Sequence, residues 1–266
     1  MVAGIETIRR LWRGEAVSFP GPGGESYEIR TLPRPVQPEL PVWLTAAGSP
    51  ETFRAAGEIG ASILTHLLGQ SLDEVAGKLK IYREAWKAAG HPGAGHVTLM
   101  LHTFVGDDED EVREIVRRPM IGYLGSSLGL VKGFAQSWTA YKKRADGTTS
   151  VDIDLDSLSA EEMEGLLEYS FERYYETSAL FGDVERALEM VDRLKGLGVD
   201  EIACLIDFGV DEERTLRHLA HLNRVREEAQ PPAAGATGED GSIAAQIRQH
   251  AVTHLQCTPS LASMLV

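Results

Sequence analysis

A chain of 266 residues with 43% hydrophobic and 25% charged side chains can bury a sizeable core, as one large α/β domain or two smaller ones. Its net charge of −14 opposes nucleic acid as a partner, and no stripe of Lys and Arg offsets it. No apolar run reaches the roughly 18 residues that span a bilayer. Met1 is followed by the amphipathic GIETIRRLW rather than a secretory signal, and Cys204 and Cys257 are too few for a disulfide framework, so a cytoplasmic setting without membrane contact is expected.

In chain order, Ile5, Ile8, Leu11 and Trp12 share one face of a helix over residues 2–12, which Gly14 ends. The stretch from Val17 to Pro41 carries PGPGG and LPRPVQPELP and predicts a short hairpin or surface excursion. Then strands and helices alternate. Val42 to Ala46 is a strand, and Ser49-Pro50-Glu51 opens a helix with a serine cap, a proline at the first position and an acid in the first turn. Ala61 to Leu67 is a second strand, followed by a helix over 72–89 capped by Ser71. His96 to Val105 is a third, followed by the acidic DDEDEV at a helix start. Glu201 to Phe208 is a fourth, interrupted by Asp207, before a helix over 212–228.

Nearly all-apolar strands alternating with amphipathic helices predict a parallel sheet covered by helices, and four such units make a partial (βα)8 barrel. Pro119 to Gly182 reads as a long insertion, helical at both ends with a polar middle, KKRADGTTSVDIDLD. Residues 229–241 have linker composition. Residues 242–266 hold a short helix and the strand-like THLQCTPS, too little to fold alone.

Two features carry chemistry. In TAAGSPET, residues 45–52, a strand ends in small residues at a helix N-terminus, whose free N–H groups and positive dipole end suit a phosphate. Ala47 and Gly48 allow close backbone approach and Ser49 and Thr52 offer hydroxyls; the plainer reading is an ordinary capped helix. His66 and His102 stand at or near strand ends, which in a barrel face the active site, although a lone histidine is commonly structural. GSSLG at 125–129 matches a nucleophile elbow around Ser127 but lacks a buried strand before it. HPGAGH has no third metal ligand at useful spacing, and DDEDE reads as a solvated helix start, so no metal is expected.

LWRGE, then PRPVQPELPVWLTAAGSPETFRAAGEIGASILTHLLGQ, VTLMLHTFVGDDEDEV and GVDEIACLIDFGV resemble, in order and spacing, the C-terminal half of luciferase-like flavin-dependent monooxygenases. The wording is closest to versions fused into non-ribosomal peptide and polyketide synthases, and it covers residues 1–228. The tail IRQHAVTHLQCTPSLASML resembles the start of an adenylation domain of those synthases, placing the linker between two modules.

The resemblance implies a barrel that binds reduced FMN at its C-terminal strand ends, with the phosphate on Ala47, Gly48, Ser49 and Thr52. Thr65 is placed with them in the cofactor-binding set. His102 falls where related enzymes carry a histidine, and with His66 forms the expected catalytic pair; an arginine of the related motif is Met100 here. The implied reaction is FMN-dependent oxygenation by O2 of a small or carrier-protein-tethered substrate, with a flavin reductase supplying reduced flavin and other synthase modules in cis. A deazaflavin-dependent hydride-transfer enzyme of the same superfamily, or a non-catalytic fragment with a remnant flavin site, are the alternatives. With four strands where a barrel needs eight, the chain is expected to be incomplete and inactive alone.

Overall fold

The computed structural model describes residues 2–126 and 158–230. The chain divides into two units, residues 1–226 and 227–266; the first is described here, and of the second only the end of one helix falls in the described residues. The polar middle of the insertion, Ser127, most of the expected linker and the terminal segment lie outside them.

The N-terminal helix α1 (Val2–Arg13) precedes the strands β1 (Val17–Pro20) and β2 (Ser26–Ile29), which pair antiparallel as the expected hairpin. The alternating part follows as β3 (Trp43–Thr45), α2 (Pro50–Glu58), β4 (Ser62–His66), α3 (Leu72–Ala88), β5 (Val97–Gly106) and α4 (Glu109–Ser126). After α5 (Ala160–Thr177) come β6 (Leu180–Asp183), α6 (Val184–Gly196), β7 (Glu201–Leu205) and α7 (Glu212–Ala229).

All five strands of the larger sheet run parallel, with β3 beside β4, β4 beside β5, and both β6 and β7 paired to β5. The four expected strands are therefore adjacent in one parallel sheet. The insertion is helical at both described ends, as expected, but it closes in a further strand, β6, which meets the last four residues of β5.

The pleat sorts the sheet into two faces, since register partners in parallel strands project to the same side. Leu44, Ile63, Thr65, Val97, Leu99 and Leu101 form one face, all buried. Trp43, Leu64, His66, Thr98, Met100, His102, Ala203 and Leu205 fall on the other. That second face is only half covered near β3, where Trp43 remains 46% exposed. A hydrogen bond from Trp43 Nε1 to Thr98 Oγ1 (3.2 Å) and one from Thr98 Oγ1 to Glu201 Oε2 (2.8 Å) link β3, β5 and β7 along it.

Helices α2 and α3 pack against each other at Gly57, where a Cβ would stand 2.5 Å from the Tyr82 carbonyl oxygen and 2.8 Å from the Ala85 Cβ. The missing side chain lets the two backbones approach. Their ends are set locally: Ser49 caps α2, and Ser71 with Glu74 forms a capping box on α3. Near the C-terminal end of β5 a second core gathers Phe104, Val112, Val116, Met120, Leu124, Phe171, Tyr174, Tyr175, Phe181 and Phe208. Around it, ion pairs from Arg113 and Arg117 to Glu172 (2.6 and 2.9 Å) join α4 to α5. No helix among the described residues is long and apolar enough to cross a membrane.

Candidate active site at the strand ends

The C-terminal ends of β3 and β4 lead into two adjoining turns. In the first, Ala47, Gly48, Ser49 and Thr52 form one continuous segment, with Gly48 and Ser49 exposed and open space beside the Gly48 Cα. The Ser49 hydroxyl accepts from the Thr52 backbone N–H (3.4 Å) and donates to Glu51 Oε2 (3.0 Å). The Glu51 carboxyl is held below its ordinary range by its own backbone N–H and then by the Ser49 hydroxyl. A carboxylate thus already accepts one N–H of the first turn of α2, the environment an anion seeks.

The second turn follows His66. Gln70 is nearly buried and its amide donates to Thr65 Oγ1 (3.3 Å) and to the carbonyl oxygen of His66. Lys78, on α3, donates to Gln70 Oε1 (2.6 Å) and to the Ala47 carbonyl oxygen (2.9 Å), tying the two turns together. Neither Gln70 nor Lys78 stands out in the sequence, where one is a loop amide and the other a polar position of an amphipathic helix.

The expected site residues separate by face. His66 is half-buried on the partly open face, and its Nδ1 accepts from the Leu68 N–H (3.2 Å), which leaves its proton on Nε2. Burial, with repulsion from Lys78, holds its pKa below the ordinary histidine value. His102 shares that face but is fully buried, ringed by Tyr123, Tyr174 and Phe208 with centroids 4.5, 5.6 and 5.5 Å away. Its Nδ1 lies 2.7 Å from the Tyr174 hydroxyl, and its pKa is pushed down to about 4 by burial and then by His66. Both imidazoles are uncharged at neutral pH. Thr65 lies on the opposite face, buried under the helices, where its hydroxyl anchors Gln70 instead of facing the histidines. Met100, half-buried between the two histidines in register, gives the face an apolar, uncharged surface where the related motif has an arginine.

Two features lie outside this site. The segment leading to Ser127 is the helix α4, so it is not the strand a nucleophile elbow needs. A cleft between α4 and α7 is lined by Glu111, Ile115, Arg214, Arg217, His218 and His221. Asp211 pairs with Arg214 (3.5 Å), and Asp107 Oδ1 lies 3.4 Å from His221 Nδ1.

The fold has relatives among known proteins. Among solved structures, the chain is similar to the monooxygenase RslO1 from Streptomyces bottropensis (20% identity, TM-score 0.55, covering 85% of this chain and 59% of that one). It is similar to the FMN complex of the oxygenating constituent of 3,6-diketocamphane monooxygenase from Pseudomonas putida (17%, TM-score 0.55, 83% and 60%). A third is the coenzyme F420-dependent tetrahydromethanopterin reductase from Methanopyrus kandleri (17%, TM-score 0.58, 81% and 59%). An uncharacterized protein of Mycobacterium tuberculosis is 27% identical over 96 residues, 36% of this chain and 33% of its own length. The chain thus spans about three fifths of the solved structures it matches. The family profile of the luciferase-like monooxygenases matches residues 4–201, and the chain belongs to that family.

Proposed function

We propose that this chain supplies the flavin-holding wall of a monooxygenase site that uses reduced FMN and O2. One observation carries the reading. An open, capped helix N-terminus after β3 and two uncharged histidines on β4 and β5 gather at the C-terminal end of one parallel sheet, and the histidines share one face. The residues fit the cofactor: the α2 N-terminus already holds a carboxylate where a phosphate would sit, and a buried imidazole nitrogen, His102 Nε2, lacks a partner.

Gly48, Ser49 and Thr52 would hold the phosphate, with Ala47 fixed beneath it by Lys78. Leu64, His66 and Met100 belong to the face that would receive the isoalloxazine ring. Bound there, reduced flavin would supply the two electrons that activate O2, one oxygen atom entering the substrate and the other leaving as water. The protein's own part is to orient and to exclude water. Uncharged histidines offer hydrogen bonds without adding a cation, and Leu64, Met100 and Phe208 keep the surroundings apolar.

The strands β3 and β7 each pair with a single neighbour among the described residues, which supports a complete pocket whose other wall comes from further strands. The substrate in this reading is a small molecule or a chain tethered to a carrier protein within a synthase, with reduced flavin delivered by a reductase. The wording of the sequence supports that setting. Anaerobic titration with reduced FMN and, separately, reduced F420 tests the cofactor. Retention of FMN in preference to F420 is expected; preference for F420 would replace oxygenation by hydride transfer.

A further inference from the structure

His102 presents the one buried side-chain nitrogen without a partner among the described residues. The imidazole is fully buried, and its ring edges meet Tyr123, Tyr174 and Phe208 in T-shaped contacts, so its orientation is fixed by packing on three sides. Its other nitrogen, Nδ1, lies 2.7 Å from the Tyr174 hydroxyl oxygen. That separation is typical of an O–H donor, whereas N–H donors prefer about 2.9–3.0 Å. The Tyr174 phenol is buried and pushed well above its ordinary pKa, so it keeps its proton.

We propose that Tyr174 is a positioning residue: its hydroxyl donates to His102 Nδ1 and fixes the tautomer whose proton is on Nε2, leaving that N–H as an unspent donor for an oxygen or nitrogen acceptor of the bound cofactor or substrate. The donor role rests on the flavin reading above; the tautomer does not. A buried N–H without an acceptor is rare in folded proteins and is retained where a ligand or water completes it. The position suits a ligand, because His102 follows Met100 and Thr98 along the face of β5 that carries His66 on β4. The arrangement parallels the hydrogen bond by which a histidine's second nitrogen is set for work at the first. The titratable groups facing His102 are Tyr174 from α5, Tyr123 from α4 and His66 from β4. Burial keeps the Tyr174 proton in place and holds both His66 and His102 below the ordinary histidine value, so one tautomer of His102 is expected from pH 6.5 to 8.

The test is long-range proton–nitrogen correlation NMR on the chain labelled with 15N-histidine. His102 is assigned by the loss of its signals in His102→Gln. In the wild type, a pyrrole-like Nε2 and a pyridine-like Nδ1 are expected from pH 6.5 to 8. In Tyr174→Phe, which keeps the ring, a mixture of tautomers is expected. The wild-type measurement stands even where a variant fails to fold. A protonated Nδ1, a charged ring at pH 7, or an unchanged pattern in folded Tyr174→Phe would overturn the positioning role. Addition of FMN to the wild type separates the second part. A shift of the Nε2–H resonance supports the donor role, whereas FMN that binds without moving it, or a signal already engaged by a buried water, overturns that role alone. Absence of any FMN binding would overturn the flavin reading, with the tautomer still decided.

Discussion

The Lys78 ammonium lies 2.9 Å from the Ala47 carbonyl oxygen, so a side chain on α3 fixes the turn that leads from β3 into α2. It reaches across from the neighbouring βα unit and also engages Gln70, which holds the backbone of His66. The two strand ends expected to meet the cofactor are therefore coupled through one cation. Replacing Lys78 with Met keeps the aliphatic stem and removes both bonds. Hydrogen bonds to charged groups contribute about 1.5–3 kcal/mol when buried, and at this half-buried position a loss of about 1–2 kcal/mol in denaturant unfolding is expected. FMN affinity should fall about fivefold as the turn loosens.

With the phosphate at the α2 N-terminus, Glu51 would compete with it. Its carboxylate receives the Ser49 hydroxyl and its own N–H at the α2 N-terminus, where the phosphate would bind. Glu51→Gln removes that negative charge while keeping an acceptor, so FMN should bind several-fold more tightly at low ionic strength, and the gain should shrink in salt. Isothermal titration of both proteins at two salt concentrations measures it; equal affinities would place the phosphate elsewhere.

Acid should weaken the fold through His102. Its folded-state pKa of about 4 lies below the ordinary histidine value, so protons bind the unfolded chain more readily. The stabilising contribution is complete above about pH 6.5 and is lost as pH falls toward 4. Between pH 7 and 5 this amounts to about 2 kcal/mol, and His66, shifted in the same direction, adds to it. His102→Gln should lose most of that pH dependence; urea unfolding at the two pH values reads it directly.

Gly57 is required by packing. A methyl group there meets the Tyr82 carbonyl oxygen at 2.5 Å and the Trp86 backbone nitrogen at 2.8 Å, atoms that cannot turn aside. Gly57→Ala should therefore destabilise by about 1–3 kcal/mol, despite the better helix propensity of alanine, because α2 must move off α3. A rise in the unfolding midpoint would show that the two helices separate freely.

Much of this architecture is legible in the sequence because its signals are local. Ser49-Pro50 and Ser71 mark helix starts through side chains that bond their own first turns, and the apolar run from Val97 to Val105 can only be a covered strand. The strand β6 is not legible: Leu180-Phe181-Gly182-Asp183 offers two apolar residues next to long helical patterns, and only its partner on β5 makes it a strand. The face that Thr65 takes is legible too. Strand alternation sets it opposite to its neighbour His66, on the side that the helices cover. The Tyr174–His102 pair spans 72 residues and the Lys78–Ala47 bond 31, and no local pattern encodes such contacts.

In the proposed site the turn from Ala47 to Thr52 recognises the phosphate of a flavin. It is tested most directly by comparing FMN with riboflavin, which differ only in that phosphate, by fluorescence titration of the chain and of Ser49→Glu. FMN is expected to bind at least about tenfold more tightly than riboflavin, and Ser49→Glu to remove the preference by setting like charge against the phosphate. Equal dissociation constants for the two flavins, or an unchanged preference in Ser49→Glu, would contradict it.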